Sequence, residues 1–467
     1  MKPLKIKWFG VNEVHKQGIH MSKKISQDQI QQLREKYSSD NHVKVVRNAM
    51  IKTNSNELSM DWEKYRKIDH SFSHVISGEM PATNQKSSGR CWGFAGLNLF
   101  RVYLGRKHNL KDFQFSQSYF MFWDKLEKSN YFLESILSTV EENFDSRIVM
   151  HLLQTPTEDG GQWDMWKNLI NKYGVIPQAE MSESFSSSQS AEMNKMLARK
   201  LRENAYDLRK EFSKGASNEA LSQLKNSMIE EIFKMLSMHL GTPPKSFNWQ
   251  VRDKNKKFSR YNNLTPQSFY EDHVGLNLDD YVCLINCPMS NKEYNKVYTV
   301  EHLGNVIEGS PIRYLNVESN VMKDASIKSI KDDNPVWFGC DVGKHFHRDL
   351  GVMDTDLFDY EMFYSTDFKM NKAERLEYGQ SQMTHAMLFT GVDLDDNGKS
   401  IKWRVENSWG ANGGNKGYHI MSDDWFDEYN YEVVVHKDYL SDELNDIFQN
   451  AEAIPLKPWD PMGALAK

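Results

Sequence analysis

Residues 84–95 read Asn84-Gln85-Lys86-Ser87-Ser88-Gly89-Arg90-Cys91-Trp92-Gly93-Phe94-Ala95. This stretch places a cysteine where a polar, glycine-containing loop meets an apolar run, residues 92–104, that predicts a helix. The N-terminus of a helix carries partial positive charge and unpaired N–H groups, and both stabilise a thiolate over a thiol. The thiolate is the nucleophilic form of cysteine. The position of Cys91 therefore indicates a catalytic nucleophile, although most free cysteines are simply small buried side chains.

A catalytic imidazole and its orienting partner are indicated much later in the chain. His385 lies in an apolar run, residues 383–392, that is typical of a buried strand. Asn407 lies in a second strand pattern that ends at a glycine. The Asn397-Gly398 pair between them favours a tight hairpin turn, which would bring the two strands side by side. The amide oxygen of Asn407 would then hold one imidazole nitrogen of His385 while the other nitrogen faces the sulfur.

Taken singly, each of these residues has another explanation. A strand histidine is more often a core residue than a catalyst. An asparagine near a glycine is often part of a turn, and Trp409 by itself predicts core packing. On the functional interpretation, the indole of Trp409 covers the hydrogen bond between His385 and Asn407 and excludes water from it.

In combination, the motifs resemble those of the papain-type cysteine peptidases: Gln-x-x-x-Gly-x-Cys-Trp, then a strand histidine, then Asn-Ser-Trp-Gly. A long insertion before the histidine and the ending Trp459-Asp460-Pro461-Met462-Gly463-Ala464-Leu465-Ala466-Lys467 narrow the resemblance to the bleomycin hydrolase or aminopeptidase C family. The resemblance extends from about residue 69 to residue 467. It implies an α+β, papain-like fold of two halves, one helical and one rich in β-strands.

The resemblance also implies roles for individual residues. Cys91 matches the nucleophile, His385 the general acid/base and Asn407 the residue that orients the histidine. Gln85 matches a glutamine whose side-chain amide joins the Cys91 N–H in an oxyanion hole, where donors must be fixed before negative charge develops. The substrate-binding positions are two glycines that pair with the substrate backbone, the roofing tryptophan and the chain end: Gly160, Gly161, Trp409, Ala466 and Lys467. For the two glycines, an ordinary loop turn is the alternative.

The C-terminal residues 446–467 carry two opposed predictions. The three prolines within residues 455–467 disfavour a helix and favour an extended path there, and chain ends usually fray. The resemblance instead implies an arm in the active-site cleft, whose carboxylate meets the substrate α-ammonium and limits the enzyme to exopeptidase action. On that interpretation Lys467 is a substrate of the enzyme itself, and Ala466 is left as the functional terminus.

Composition excludes several other classes of protein. A net charge of −6 predicts no general attraction to nucleic acid or to anionic membranes, and no apolar run approaches the length of a membrane span. Four cysteines in 467 residues indicate a reducing compartment. Secreted papain-like enzymes usually carry a disulfide cysteine where this chain has Ser88. We expect a cytoplasmic location, because the first thirty residues lack the arginines of a mitochondrial transit segment.

The remaining cysteines do not predict a cofactor. Cys283 and Cys287 lie in a buried-strand pattern and predict core packing rather than a disulfide or metal ligands. Cys340, His345 and His347 form a candidate metal cluster, but no fourth ligand at zinc-site spacing is nearby. We therefore expect neither a metal nor an organic cofactor.

Patterns along the chain predict five segments and one serine-rich loop, residues 183–189. The segments are an N-terminal arm and helix (1–68), a helical half with the nucleophile (69–189), an inserted helical subdomain (190–246), a β-rich half with the histidine and asparagine (247–445) and a C-terminal arm (446–467).

The expected function is that of a cysteine aminopeptidase acting on peptides and related amides through an acyl-enzyme. The alternatives are a papain-like endopeptidase with an open cleft, and a nucleic-acid-binding protein whose peptidase activity is secondary. The resemblance further implies a homohexamer and weak nucleic-acid binding, and no membrane partner is expected.

Overall fold

The computed structural model describes residues 24–466. Two structural units are distinguished: residues 24–60 with Tyr360–Thr366, and Asp61–Asp359 with residues 367–466. The α-helices are α1 (Gln27–Ser39), α2 (Asn41–Met50), α3 (Ser55–Ser59), α4 (Trp62–Tyr65), α5 (Cys91–Lys107), α6 (Gln117–Ser138), α7 (Arg147–Gln154), α8 (Trp163–Tyr173), α9 (Phe185–Ser188), α10 (Ala191–Ser213), α11 (Asn218–Leu240), α12 (Pro266–His273), α13 (Ser319–Lys331), α14 (Tyr360–Tyr364), α15 (Lys372–Glu377), α16 (Asp423–Tyr429) and α17 (Asp442–Asn450).

The β-strands are β1 (His74–Val75), β2 (Phe247–Arg252), β3 (Phe258–Leu264), β4 (Tyr281–Ile285), β5 (Lys296–Val300), β6 (Tyr314–Asn316), β7 (Val336–Cys340), β8 (Phe346–His347), β9 (Val352–Met353), β10 (His385–Leu394), β11 (Ser400–Glu406), β12 (Tyr418–Ser422), β13 (Asn430–His436) and β14 (Ile454–Leu456). A 3-10 helix spans Pro461–Ala466 near the end of the chain, so the extended path predicted there is wrong beyond β14. Proline is compatible with the first turn of a helix, where its missing N–H has no partner to lose. Helix and strand both contribute extensively, so the α+β class predicted from the sequence is confirmed.

The smaller unit contains α1, α2, α3 and α14. The side chains of Ser26 and Asp40 accept backbone N–H groups in the first turns of α1 and α2, and these caps explain where the two helices begin. The helix predicted at residues 26–38 corresponds to α1.

Helix α5 has Cys91 as its first residue and is buried along nearly its whole length. Two glycines allow this close packing. A Cβ atom on Gly93 would lie 2.2 Å from the ring of Phe120 in α6, and one on Gly96 would lie 2.3 Å from the ring of Trp166 in α8. A larger residue at either position would displace a core aromatic ring, so the glycines set how closely α5 packs against α6 and α8.

Helices α10 and α11 occupy the region predicted to be an inserted helical subdomain, and both pack against α6. Their buried faces consist of regularly spaced apolar residues such as Leu197, Leu201, Ile232 and Leu236. Helix α11 ends at Gly241, whose φ of +87° is accessible to glycine. The division into five segments stays a prediction.

The prediction of a loop over residues 183–189 is wrong, because these residues contain α9. Ser184 and Ser187 form a reciprocal capping box in which each side chain accepts a backbone N–H of the other residue. A run of serines lacks the apolar periodicity by which a helix is predicted, but it can supply its own caps.

The main sheet follows the order β14-β5-β6-β4-β13-β7-β10-β11-β12-β9-β8, with β1 also paired to β10. Strands β10 and β11 are antiparallel neighbours, with Leu388 opposite Glu406, as expected for the hairpin predicted around Asn397-Gly398. On its other side β10 pairs with β7, where Cys340 lies opposite His385. His385 is therefore the first residue of a strand that is held from both sides.

None of the helices in residues 24–466 combines the length and hydropathy needed to cross a lipid bilayer.

Candidate active site

The thiol of Cys91 lies at the N-terminus of α5 and is almost completely buried. The backbone N–H groups of Trp92 and Ala386 are near enough to the sulfur to favour its ionised form. Because Ala386 directly follows His385, the sulfur lies beside the start of β10. A buried ion pair between Arg101 of α5 and Glu406 of β11, 2.5 Å long, also ties the helix that carries the thiol to the strand that precedes Asn407.

His385 and Asn407 make the hydrogen bond that the hairpin predicts. Nε2 of His385 lies 2.9 Å from Oδ1 of Asn407, and the backbone N–H of Ser408 donates to the same oxygen at 2.8 Å. The Ser408 bond identifies Oδ1 as the acceptor, so the proton of the neutral imidazole is on Nε2 and Nδ1 is the free base. The indole of Trp409 covers the imidazole at a ring separation of 4.8 Å.

Burial acts on both reactive groups in the same sense, towards the neutral form. It raises the pKa of the Cys91 thiol to about 11, although the surrounding backbone N–H groups oppose this. It lowers the pKa of His385 to about 4, against the hydrogen bond to Asn407. A lone thiolate or a lone imidazolium is therefore disfavoured, and the charges have to form together by proton transfer from sulfur to imidazole.

Gln85 is fixed by Ser408, the residue that follows Asn407. The backbone N–H of Gln85 donates to the Ser408 carbonyl at 2.8 Å, and the Ser408 hydroxyl donates to Oε1 of Gln85 at 2.6 Å. Nε2 of Gln85 donates one N–H to the carbonyl of Ser88. A side-chain amide has two N–H groups, so a second one is left for a substrate oxygen. Ser408 thus joins the proposed oxyanion donor to the residue that orients the imidazole.

The segment with Gly160 and Gly161 lies against two other parts of the site. A Cβ atom on Gly161 would lie 2.5 Å from the indole of Trp92, and one on Gly160 would lie 2.0 Å from the carbonyl oxygen of Leu465. The second contact places the C-terminal segment directly on the glycine pair. Ala466 lies at the same contact, whereas Lys467 lies outside the described residues.

The carboxylate of Asp159 connects several parts of this region. It accepts the backbone N–H of Gly89 at 2.9 Å and forms an ion pair of 2.8 Å with the fully buried Lys125. Burial favours a raised pKa for Asp159, but Lys125 and the hydrogen-bond donors hold that pKa well below its usual range. Sequence reasoning gave no role to Asp159, Lys125 or Ser408, although Asp159 adjoins the glycine pair and Ser408 adjoins Asn407.

The candidate metal cluster at Cys340, His345 and His347 is not assembled. Within residues 24–466 no group of three or more histidine, cysteine, aspartate or glutamate side chains is arranged to hold a metal ion. All four cysteines are buried and free, and Cys340 lies in β7 beside β10.

The chain is similar to known proteins over most of its length. The chain matches the Peptidase C1-like family over residues 24–463. Aminopeptidase C of Listeria monocytogenes is 49% identical over 395 residues, which are 85% of this chain and 88% of that protein. Bleomycin hydrolase of Homo sapiens is 42% identical over 451 residues, which are 95% and 99% of the two chains. The crystal structure of PepW from Lactobacillus rhamnosis HN001 gives a TM-score of 0.93 at 44% identity and covers 95% of this chain and 100% of that one. These matches confirm the resemblance inferred from the motifs, and the chain belongs to the Peptidase C1-like family.

Proposed function

We propose that this protein is a cysteine aminopeptidase that removes residues from the N-termini of peptides and hydrolyses related amides. The observation that carries the proposal is the continuous network from His385 through Asn407 and Ser408 to Gln85, assembled beside the buried thiol of Cys91. Such a network supplies a base, its orienting group and an oxyanion donor around one nucleophile.

The reaction proceeds through a thioester. The sulfur of Cys91 attacks the carbonyl carbon as its proton passes to Nδ1 of His385, and the resulting oxyanion accepts N–H groups from Gln85 and the Cys91 backbone. The imidazolium then donates its proton to the nitrogen of the leaving amine as the C–N bond breaks. Water attacks the thioester with His385 as the base, which releases the acid and regenerates the thiol.

The C-terminal segment supports exopeptidase rather than endopeptidase action. It covers Gly160, which by the family resemblance pairs with the backbone of an extended substrate. A long substrate would need the same surface on this side of the scissile bond. On this proposal, the segment admits only the N-terminal end of a peptide on this side of the scissile bond.

The test is hydrolysis of fluorogenic aminoacyl amides under reducing conditions, compared with the same amides blocked at the N-terminus. We expect wild type to cleave the free substrates and not the blocked ones, and Cys91→Ala to cleave neither while retaining its fold. Full turnover by Cys91→Ala would reject the proposed nucleophile. Equal turnover of blocked and free substrates would favour the endopeptidase alternative.

A cytoplasmic location and a homohexameric assembly are proposals that rest on the family resemblance and the scarcity of cysteines. Weak nucleic-acid binding stays a prediction, and its test is a binding measurement at low and raised salt, because phosphate contacts weaken steeply with salt.

A further inference from the structure

The C-terminal segment reaches the glycine pair from the edge of the main sheet. Strand β14 pairs in parallel with β5, and the backbone N–H of Glu301 donates to the carbonyl of Leu456 at 2.9 Å. Residues 457–460 then leave the sheet edge, and the 3-10 helix Pro461–Ala466 follows over Gly160. Within the C-terminal arm predicted at residues 446–467, residues 457–466 are the part beyond the sheet edge, and we call these residues the arm.

A buried ion pair lies at the turn where the arm leaves the sheet edge. Nζ of Lys292 lies 2.8 Å from Oδ2 of Asp460, and the side chain of Lys292 is 0% exposed. Lys292 lies in the connection between β4 and β5, and its backbone carbonyl accepts Nδ2 of Asn316 in β6 at 3.4 Å. Its other hydrogen-bond partners, Sδ of Met289 and Oδ1 of Asn291, are uncharged, and the carboxylate of Glu377 acts on it from beyond ion-pair distance. Among the described residues Asp460 supplies the one carboxylate within ion-pair distance of this buried cation.

The same carboxylate also shapes the arm. Oδ1 of Asp460 accepts the backbone N–H of Met462 at 3.0 Å. The main-chain carbonyl of Asp460 accepts the backbone N–H of Gly463, also at 3.0 Å. The Met462 carbonyl in turn accepts Nε2 of Gln162 at 3.2 Å and the hydroxyl of Tyr314 at 3.3 Å. The side chain of Asp460 therefore both neutralises Lys292 and helps to position the residues that cover Gly160.

We infer that Lys292 and Asp460 are specificity-determining residues, an ionic lock that holds the arm over Gly160 and so excludes substrates extended beyond their N-terminal residue. This inference rests on the proposed function. Removing one partner of a buried ion pair strongly destabilises the folded conformation, because the other charge stays buried without compensation. Because the connection that carries Lys292 is hydrogen-bonded to β6, the conformation that returns Lys292 to water is the one in which the arm has left the cleft.

A second ion pair on the arm provides a matched contrast. Lys457 and Glu301 are 3.1 Å apart, but their side chains are 64% and 38% exposed. Exposed pairs contribute little because water and salt screen them. The lock should therefore depend on the buried pair and not on the exposed one.

The experiment compares Asp460→Asn with Glu301→Gln in the full chain. Each change replaces one carboxylate by an amide of the same shape, and in Asp460→Asn the amide keeps an oxygen that can accept the Met462 N–H. The readout is the ratio of blocked-peptide to free-peptide hydrolysis, normalised to the active sites titrated with iodoacetamide. A merely structural defect lowers both rates and leaves this ratio unchanged.

We expect Asp460→Asn to raise the ratio by about tenfold or more, and Glu301→Gln to leave it within about twofold of wild type. An unchanged ratio in Asp460→Asn, or an equal rise in both variants, would overturn the inference.

If Asp460→Asn does not fold, Lys292→Met removes the opposite charge and is read in the same way. Deletion of residues 464–467 is the positive control. If wild type fails to cleave free substrates the proposed function itself fails, whereas a raised ratio in the deletion but not in Asp460→Asn rejects the lock alone.

Discussion

The backbone N–H of Gly89 donates to the buried carboxylate of Asp159 across 2.9 Å. This contact joins the loop that leads into Cys91 to the segment that contains Gly160. Secreted papain-like enzymes usually have a disulfide cysteine at the position of Ser88, next to this contact. Here a hydrogen bond and the ion pair to Lys125 make a link that needs no oxidising compartment.

The link predicts that Asp159→Asn destabilises the folded protein. The variant keeps a hydrogen-bonding side chain but leaves the ammonium of Lys125 buried and unpaired, which should cost about 3–5 kcal/mol in the free energy of unfolding. Urea unfolding measures this difference. Glu203→Gln is the control, because it breaks an exposed ion pair with Lys200. Equal stability of Asp159→Asn and wild type would contradict the structural role of the pair.

The hydrogen bond from Ser408 to Gln85 predicts how the oxyanion hole responds to substitution. Gln85→Ala removes a donor that is already oriented, and we expect kcat to fall about 10²–10³-fold. Ser408→Ala leaves the Gln85 amide in place but removes the hydrogen bond that holds its Oε1. We therefore expect a smaller fall in kcat for Ser408→Ala than for Gln85→Ala. Steady-state kinetics on a free aminoacyl amide measure both, with Gln267→Ala on the exposed side of α12 as control. A kcat for Gln85→Ala within about twofold of wild type would show that this amide does not bind the oxyanion.

Stability should depend on pH through Glu432, which is completely buried in β13. Burial raises its pKa from 4.5 to about 8, with Asp164 adding to the effect and the thiol of Cys283 opposing it. Between these two values the folded state keeps a proton that the unfolded chain has lost. The folded state therefore binds more protons, and its stability falls as the pH rises through this window.

Glu432→Gln removes this titration. We expect the stability of the variant relative to wild type to grow from about pH 5 to about pH 8 by a few kcal/mol, because one pKa unit corresponds to about 1.4 kcal/mol. Urea unfolding at several pH values measures the trend, with Glu443→Gln in α17 as the control. A constant difference across this range would mean that Glu432 is ionised in the folded state.

Local patterns predicted the elements that position the site. Helix α8 spans the predicted residues 163–173, and β10 begins at the predicted His385. The hairpin that pairs His385 with Asn407 followed from one Asn-Gly turn and two apolar runs, because turn type and strand period are encoded locally.

Contacts between distant segments could not be predicted in this way. Asp159 and Gly89 are 70 positions apart, and Lys292 and Asp460 are separated by most of the β-rich region. The local sequence around a lysine or an aspartate does not identify the oppositely charged residue with which it forms a buried ion pair. Such pairs depend on tertiary packing, and they are the part of the site that only the structure reveals.

The account depends most on the sulfur of Cys91 acting as the nucleophile with His385 as its proton acceptor. Treatment with iodoacetamide, followed in parallel by peptide mass spectrometry and by hydrolysis of a free aminoacyl amide, tests this directly. We expect activity to fall in proportion to the alkylated fraction of Cys91, and His385→Ala to be alkylated more slowly because the thiolate is the reactive form. Undiminished hydrolysis by protein in which Cys91 is fully alkylated would contradict the account.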